Sequence, residues 1–415
     1  MKRIKKPNRL VSDIAGISRK SRLRAKVSKA VSFPGVYVQE VPSGVRTIPT
    51  VDTSIAAFIG QAASGPLNDP TPISSFGEFE TTFGGLQLGS SLGYSIRDFF
   101  LNGGSKALIV RVGDGNSVLT FSDFVGPGTQ SNMTGLYALE RADHFNLLVI
   151  PPYTSSGDVD TSVITEAAVY CERRRAFLIL DPPTSWTHVA AAVAGMSTLG
   201  TRSQNAAVYF PRLRQTDPLQ GNALATFAPG GAIAGIYART DSRRGVWKAP
   251  AGREATLVGV SQFAVSISNP GNGQLNSEGI NALRTLPSAG QVVWGSRTLQ
   301  GGNTSGSEWK YVPVRRTALF IEESLYRGTQ WAVFEPNNET LWSQIRLSVN
   351  AFMQSLFRQG AFQGSTAKEA YFVKCGRDTT TANDIAQGLF NLQVGFAPLK
   401  PAEFVVLKIQ QKAAK

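Results

Sequence analysis

Residues 311–362, YVPVRRTALFIEESLYRGTQWAVFEPNNETLWSQIRLSVNAFMQSLFRQGAF, carry the densest structural signal in the chain. Residues 316–321 (RTALFI) read as a strand-like run, and Arg327, Gly328 and Thr329 as a turn into a second apolar run, Trp331 to Phe334, which Pro336 ends. Asn337 and Asn338 are good helix caps, and Glu339 falls in the first turn, where the helix dipole favours a carboxylate. The following helix has apolar residues at Leu341, Trp342, Ile345, Val349, Phe352, Met353, Leu356 and Phe357, steps that keep returning to one face. Gln344, Arg346, Ser348, Gln354, Ser355 and Arg358 occupy the other face, and Gly360 is a plausible stop. One face is expected to pack on a sheet. The other stays free for water or a partner.

Working outward, 415 residues exceed what one core usually serves, so two domains or more are expected. No segment approaches the roughly 18 unbroken apolar residues of a membrane span. The basic amino terminus lacks the apolar core of a signal peptide, which points to cytoplasmic synthesis. Cys171 and Cys375 match no metal or redox spacing, so neither a metal nor a cofactor is expected. The net charge of +13 is local: residues 1–30 hold eleven basic side chains against Asp13 alone. Such a tail could bind nucleic acid, an anionic membrane or an acidic protein groove. It has no interleaved aromatics for single-strand stacking, and Ile14, Ile17, Leu23, Val27 and Val31 make only a weak helical stripe. A solvated arm is the plainest reading.

In the body, an apolar strand from residue 53 runs into a Gly/Pro loop, and residues 92–102 read as a helix followed by a buried strand at 106–112. Residues 113–135 read as a long loop or irregular hairpin. Strands at 145–150, 176–180 and 206–210 then alternate with helices at 162–174 and 188–199, the pattern of an α/β sheet with parallel pairings. Residues 232–250 form a small-residue helix able to pack tightly, a polar turn, and Trp247 at the exit; Asp241 and Arg297 are candidates for a structural ion pair. Short strands end the chain at 370–375, 394–398 and 400–409. In the last, Val405, Leu407 and Ile409 share one face, while Phe404, Val406 and Lys408 lie on the other.

Little here suggests catalysis. The only histidines are His144 and His188, and no G-x-S-x-G, H-E-x-x-H or phosphate-binding loop is present. Asp181 ends a strand, but an Asp followed by two prolines more often terminates the strand through a backbone-bonding side chain. Residues 102–106 (NGGSK) lie between a helix and a strand, the reverse of a phosphate-binding loop, and read as a turn. A subtilisin-like hydrolase and a basic-tailed nucleic-acid-binding protein remain as alternatives, the first without a triad, the second with a nearly neutral body.

Several separated stretches resemble contractile tail sheath proteins of phages, phage-derived bacteriocins and extracellular contractile injection systems. They are PGVYVQEVPSG at 34–44, SFGEFETTFGG at 75–85, AGIYARTD with RGVWKAPAG at 234–252, LNSEGINALRTLPSAGQVVWGSRTL at 275–299, FIEES with GTQWAVFEPN and LW after 320, and VGFAPLKPAEFVVLKIQQ at 394–411. The resemblance implies a basic extension at 1–32, an arm strand and approach to the body at 33–59, and an outer α/β domain, distantly subtilisin-like, at 60–305. An inner α+β domain would follow at 306–400 and a second arm strand at 401–415. The arms would exchange strands between subunits through Val36, Tyr37, Val38, Gln39, Glu40 and Val41 at one end and Phe404, Val405, Val406, Leu407, Lys408 and Ile409 at the other. It further implies a helical homopolymer around an inner tube protein, with baseplate and tail-terminator or cap proteins as partners and no small-molecule substrate. Arg346 and Arg358 become candidate tube-facing residues. Assembly is expected in the bacterial host cytoplasm, as a component of a phage tail or tail-like particle.

Overall fold

A computed structural model describes residues 46–113 and 118–404. Six short segments lead off: β1 (Ala56–Gly60), β2 (Thr71–Ile73), β3 (Ala107–Arg111), β4 (Leu147–Val149), β5 (Phe177–Leu180) and β6 (Ala206–Phe210). β1, β4, β5 and β6 are buried at every residue, as parallel strands covered on both faces must be. β7 (Leu213–Asp217), β8 (Ala223–Phe227) and β9 (Gln262–Phe263) form a separate three-stranded sheet, and β10 (Ile280–Leu286) and β11 (Gly290–Val293) return to the first. Its eight strands run β11-β10-β6-β5-β4-β1-β3-β2, parallel inside with antiparallel pairs at the two margins.

Each face of this sheet carries helices. Val163, Ala167 and Cys171 of the Thr161–Arg173 helix pack with Leu148, Leu178 and Val208 on one side. On the other, the Leu92–Leu101 and Gly230–Arg244 helices pack with Phe58, Ile109, Val149 and Tyr209. These two helices approach unusually closely because the second carries glycines at the contact. A Cβ on Gly231 would sit 2.0 Å from the Ser95 carbonyl oxygen, and one on Gly235 would sit 2.5 Å from that of Phe99. The small-residue helix read from the sequence is therefore required by its neighbour.

Two expectations are corrected. Residues 113–135 are not a plain loop: a helix at Phe121–Val125, closed by a Thr120–Asp123 capping box, and a turn at Thr129–Asn132 lead into a 3-10 helix at Gly135–Arg141. Fully buried Phe124, stacked on Tyr153, holds that region to the core. More important, residues 316–321 are no strand but the middle of a helix, Val312–Gly328, and Trp331 belongs to a single 3-10 turn at Gln330–Ala332. Val312 and Leu319 pack against the sheet, while Phe320 and Ile321 join a third apolar cluster. A helix buried on several sides shows an unbroken apolar run, which periodicity cannot separate from a strand. Pro313 in the first turn is the sign that favours the helix.

The third cluster is built around the Glu339–Arg358 helix, whose buried residues are the expected Leu341, Trp342, Ile345, Val349, Phe352, Met353 and Leu356. Asn338 caps it, accepting from the amides of Thr340 and Leu341 at 3.0 and 3.2 Å. Ser348, read as part of the free face, is buried and accepts from the Arg46 amide at 3.1 Å. Tyr371 and Val373 of β12 (Tyr371–Lys374) pack against this cluster, and β12 pairs antiparallel with β13 (Gln393–Phe396) as a sheet of two strands.

Replacing Gly231 by Ala should lower stability by about 1–3 kcal/mol, the usual range for overpacking, because backbone rather than a movable side chain fills the space. Chemical denaturation of the variant and the parent chain measures this. An unchanged midpoint would show that the two helices can separate freely.

Candidate interaction surfaces

Arg316, on the Val312–Gly328 helix, is a deeply buried charge. It donates to both carboxylate oxygens of Asp241 at 2.9 and 2.6 Å and to the Thr53 carbonyl at 2.7 Å, and each side chain of the pair is 3% exposed. Thr53 donates its hydroxyl to Asp241 at 2.7 Å, and the guanidinium lies 4.7 Å from the Tyr237 ring centre. Burial works against the Arg316 charge, but Asp241 outweighs it, so the pKa rises above its ordinary value. The Gly230–Arg244 helix, the Val312–Gly328 helix and the approach to β1 thus meet at one ion pair.

Asp241 was expected to pair with Arg297. Instead Arg297 grips Glu403: Nε donates to Oε1 at 2.8 Å and Nη2 to Oε2 at 2.6 Å. Its remaining nitrogen donates to the carbonyls of Asn276 and Gly301 and to the Asn303 side chain. Tyr311 adds a hydroxyl to Glu403 at 3.2 Å. Two residues distant in sequence compete for each partner, so only the three-dimensional arrangement could settle the pairing. The consequence lies at the carboxy terminus. Residues 400–404, read as the start of a strand, have no ladder partner among the described residues and are held by this clamp instead. Phe404 is exposed just beyond it. Val36, Tyr37, Val38, Gln39, Glu40 and Val41 lie outside the described residues, as do Val405, Val406, Leu407, Lys408 and Ile409.

Arg346 and Arg358 differ in their surroundings. Arg346 is half-buried and donates to Glu339 at 2.6 Å, to Ser343 at 2.8 Å and to the Cys375 carbonyl, whereas Arg358 is exposed at the last turn of the helix. The sheet β12–β13 leaves one edge of each strand unpaired among the described residues. Phe372 on its outer surface is exposed and lies across Gly395, where a Cβ would come within 2.2 Å of the ring.

A second charged network joins the Val312–Gly328 helix to the sheet. Glu323 accepts from Arg175 and Arg327 at 2.6 Å each, and Arg327 also reaches Asp143 at 2.8 Å. His144 lies 3.7 Å from Glu323. Burial alone would raise the Glu323 pKa, but the two guanidiniums dominate and hold it below the ordinary carboxylate value. Asp181 behaves oppositely. Burial pushes its pKa up to about 7, one oxygen accepts from the Gly230 amide at 2.6 Å, and the other has no partner. The small cavity beside it is lined by Asp158 and Arg212 but by neither histidine. Asp181 thus bonds backbone as read from the sequence, but at the start of the Gly230–Arg244 helix and not in the turn that ends its own strand. Asn102 likewise has a structural role, with its side chain bonded to both backbone groups of Val258. No group of three or more His, Cys, Asp or Glu that could hold a metal ion occurs among the described residues, and none of their helices is long and apolar enough to cross a membrane.

The described residues thus form an α/β body that bears an open two-stranded sheet and a clamped terminal segment. Residues 126–299 match the phage tail sheath protein central domain and residues 304–412 the phage tail sheath C-terminal domain. The tail sheath protein of Escherichia phage P2 is 22% identical over 394 residues, covering 90% of this chain and 94% of that one. That of Burkholderia phage BcepMu is 28% identical over 268 residues, 60% of this chain, and the chain spans about half (54%) of that relative's length. Among solved structures, the sheath complex of the PVC extracellular contractile injection system in its contracted state superposes with a TM-score of 0.74 at 28% identity, covering 93% of this chain and 99% of that one. The chain belongs to the phage tail sheath family.

Replacing Arg316 by Ala should cost about 3–5 kcal/mol, since Asp241 is left buried without its counter-charge; thermal or chemical unfolding reads the loss. The Glu323 network gives a pH dependence of definite sign. Its folded pKa lies below the ordinary 4.5, so its contribution is complete above that value and is lost as pH falls through the folded pKa. The stability advantage of the parent chain over Glu323→Gln should therefore shrink on acidification below about pH 4.5, and an advantage independent of pH would contradict the assignment.

Proposed function

We propose that this chain is a structural subunit that polymerises as a helical sheath around an inner tube protein and contracts to drive that tube through a target envelope. The observation that carries the linking mechanism is the two-stranded sheet β12–β13 with its unpaired edges. The sheet packs one face on the cluster around the Glu339–Arg358 helix and keeps its outer edges open, an arrangement that can accept a further strand. The chain's own candidates to supply one are the apolar runs at 36–41 and 404–409. The Arg297–Glu403 clamp supports the same reading, because it fixes the point from which the second run departs.

One added strand contributes about four backbone hydrogen bonds at roughly 1 kcal/mol net each, and burial of its apolar side chains at about 25 cal/mol per Å² adds a few kcal/mol. Such links are modest singly and strong when repeated through a lattice. The domain covering 60–305, distantly subtilisin-like, would face outward and repack on contraction. The domain at 306–400 would face the tube, with the inter-subunit links preserved. Contraction would need no nucleotide hydrolysis by this chain, and its role would be structural rather than catalytic. Baseplate and cap proteins would close the two ends. Assembly would take place in the bacterial cytoplasm, before release of a phage tail or tail-like particle. The basic residues of 1–30 would serve a neighbouring acidic surface, with nucleic acid as the alternative.

Removing residues 404–415 leaves Glu403 in its clamp, and this variant should fold with an unchanged melting temperature yet form no sheaths by negative-stain electron microscopy. Normal sheaths would refute strand exchange by this arm. For tube contact, Arg358 is the available cation of the two, because Arg346 is engaged within the chain. Arg358→Glu should weaken sheath–tube association severalfold in co-sedimentation while sparing sheath-only polymers. Undiminished retention of tube would remove Arg358 from that interface.

A further inference from the structure

Phe334 is the most conspicuous apolar group on the surface: fully exposed, and held at a φ of +66°. A bulky side chain rarely adopts the left-handed region, and such strain persists only where the surroundings impose it. Here they do. Asn337 donates to the Leu389 carbonyl and accepts from the Trp342 indole, both at 2.8 Å, while Trp331 stacks under the Arg46 guanidinium at 4.2 Å. Val333 and Leu389 are exposed as well, and Glu335 follows on the surface. The loop is a rigid apolar knob beside a carboxylate.

A receptor for it lies elsewhere on the same chain. A groove of about 710 Å³ is lined by the half-buried indoles of Trp247 and Trp294 and by Phe404, with Lys248 and Lys400 around it, while Arg244 is paired with Glu254 and Glu403 with Arg297. Ser296 in its wall is 6% exposed, and its hydroxyl has no hydrogen-bond partner. Two indoles offer an aromatic ring an apolar, π-rich seat, and the cationic rim suits the carboxylate that follows Phe334.

Knob and groove do not meet within one subunit: Phe334 is fully exposed and is no part of the groove wall. Phe334 precedes the Glu339–Arg358 helix, whereas Gln359 and Gly360 in the groove wall follow it, so the two are separated by a helix of about 30 Å. Two different surfaces that complement each other make a head-to-tail contact, which propagates as an open helix whenever its rotation does not close a ring. We propose that Phe334 of one subunit seats between Trp247 and Trp294 of the next, with Glu335 directed at Lys248 and Lys400. This rests on the reading that the chain polymerises, but not on strand exchange by either terminal arm.

The test uses wild-type sheaths. Zero-length carbodiimide coupling followed by peptide mass spectrometry should join Glu335 to Lys248 or Lys400. Sheaths in which Glu335 couples only elsewhere, to a tube-protein lysine, or not at all overturn the contact while leaving polymerisation intact. A wild-type chain that forms no sheath removes both readings together. Phe334→Gly provides the second arm, since glycine suits the left-handed backbone and the monomer should melt no lower than the parent. Its sheath yield should fall at least tenfold, and sheaths at the parental yield overturn the proposal.

Discussion

Burying a guanidinium against a carboxylate is tolerable only when the geometry satisfies both, and the Arg316–Asp241 pair meets that condition through five groups from three parts of the chain. Thr53 comes from the approach to β1, Tyr237 and Asp241 from the Gly230–Arg244 helix, and Arg316 from the Val312–Gly328 helix. Apolar packing alone would allow these elements to slide. A desolvated ion pair with specific acceptors allows one register. The position of the Val312–Gly328 helix, and of everything after it, follows from that constraint.

That helix belongs to two cores at once. Its first turns pack on the sheet and its middle on the cluster around Trp342 and Met353. Glu323, gripped by Arg175 and Arg327, adds a polar tie on the same helix. In a subunit required to transmit force, a helix embedded in both clusters couples them mechanically. The open edges of β12–β13 and the exposed Phe334, where contacts with partners are proposed, lie beyond this part.

Much of this was legible in the residues. The runs AAFIG, FLIL and AAVYF have too little polar alternation for a half-exposed sheet, and they form the buried parallel strands. The Glu339–Arg358 helix, its cap and nearly all its buried face follow from spacing. The family was legible too, in stretches dispersed from one end of the chain to the other. Less was legible at residues 316–321, where burial on several sides erased the helical period. The free face of the Glu339–Arg358 helix was only partly readable, because Ser348 is buried by a backbone amide from residue 46 and Arg346 is engaged by the Cys375 carbonyl.

What the sequence by itself determined is therefore what local spacing and composition encode: the class of fold, the alternation of strands and helices between residues 145 and 210, the capped helix at Glu339–Arg358, the family, and the concentration of charge in the first thirty residues. Tertiary structure alone decided which charges meet. Arg297 finds Glu403 and not Asp241, over more than a hundred residues, because pairing depends on where each backbone is carried by the packing of apolar elements that hold no information about those side chains. The same holds for Phe334. It was read only as the end of an apolar run, and only the fold places the ring outside, at a positive φ.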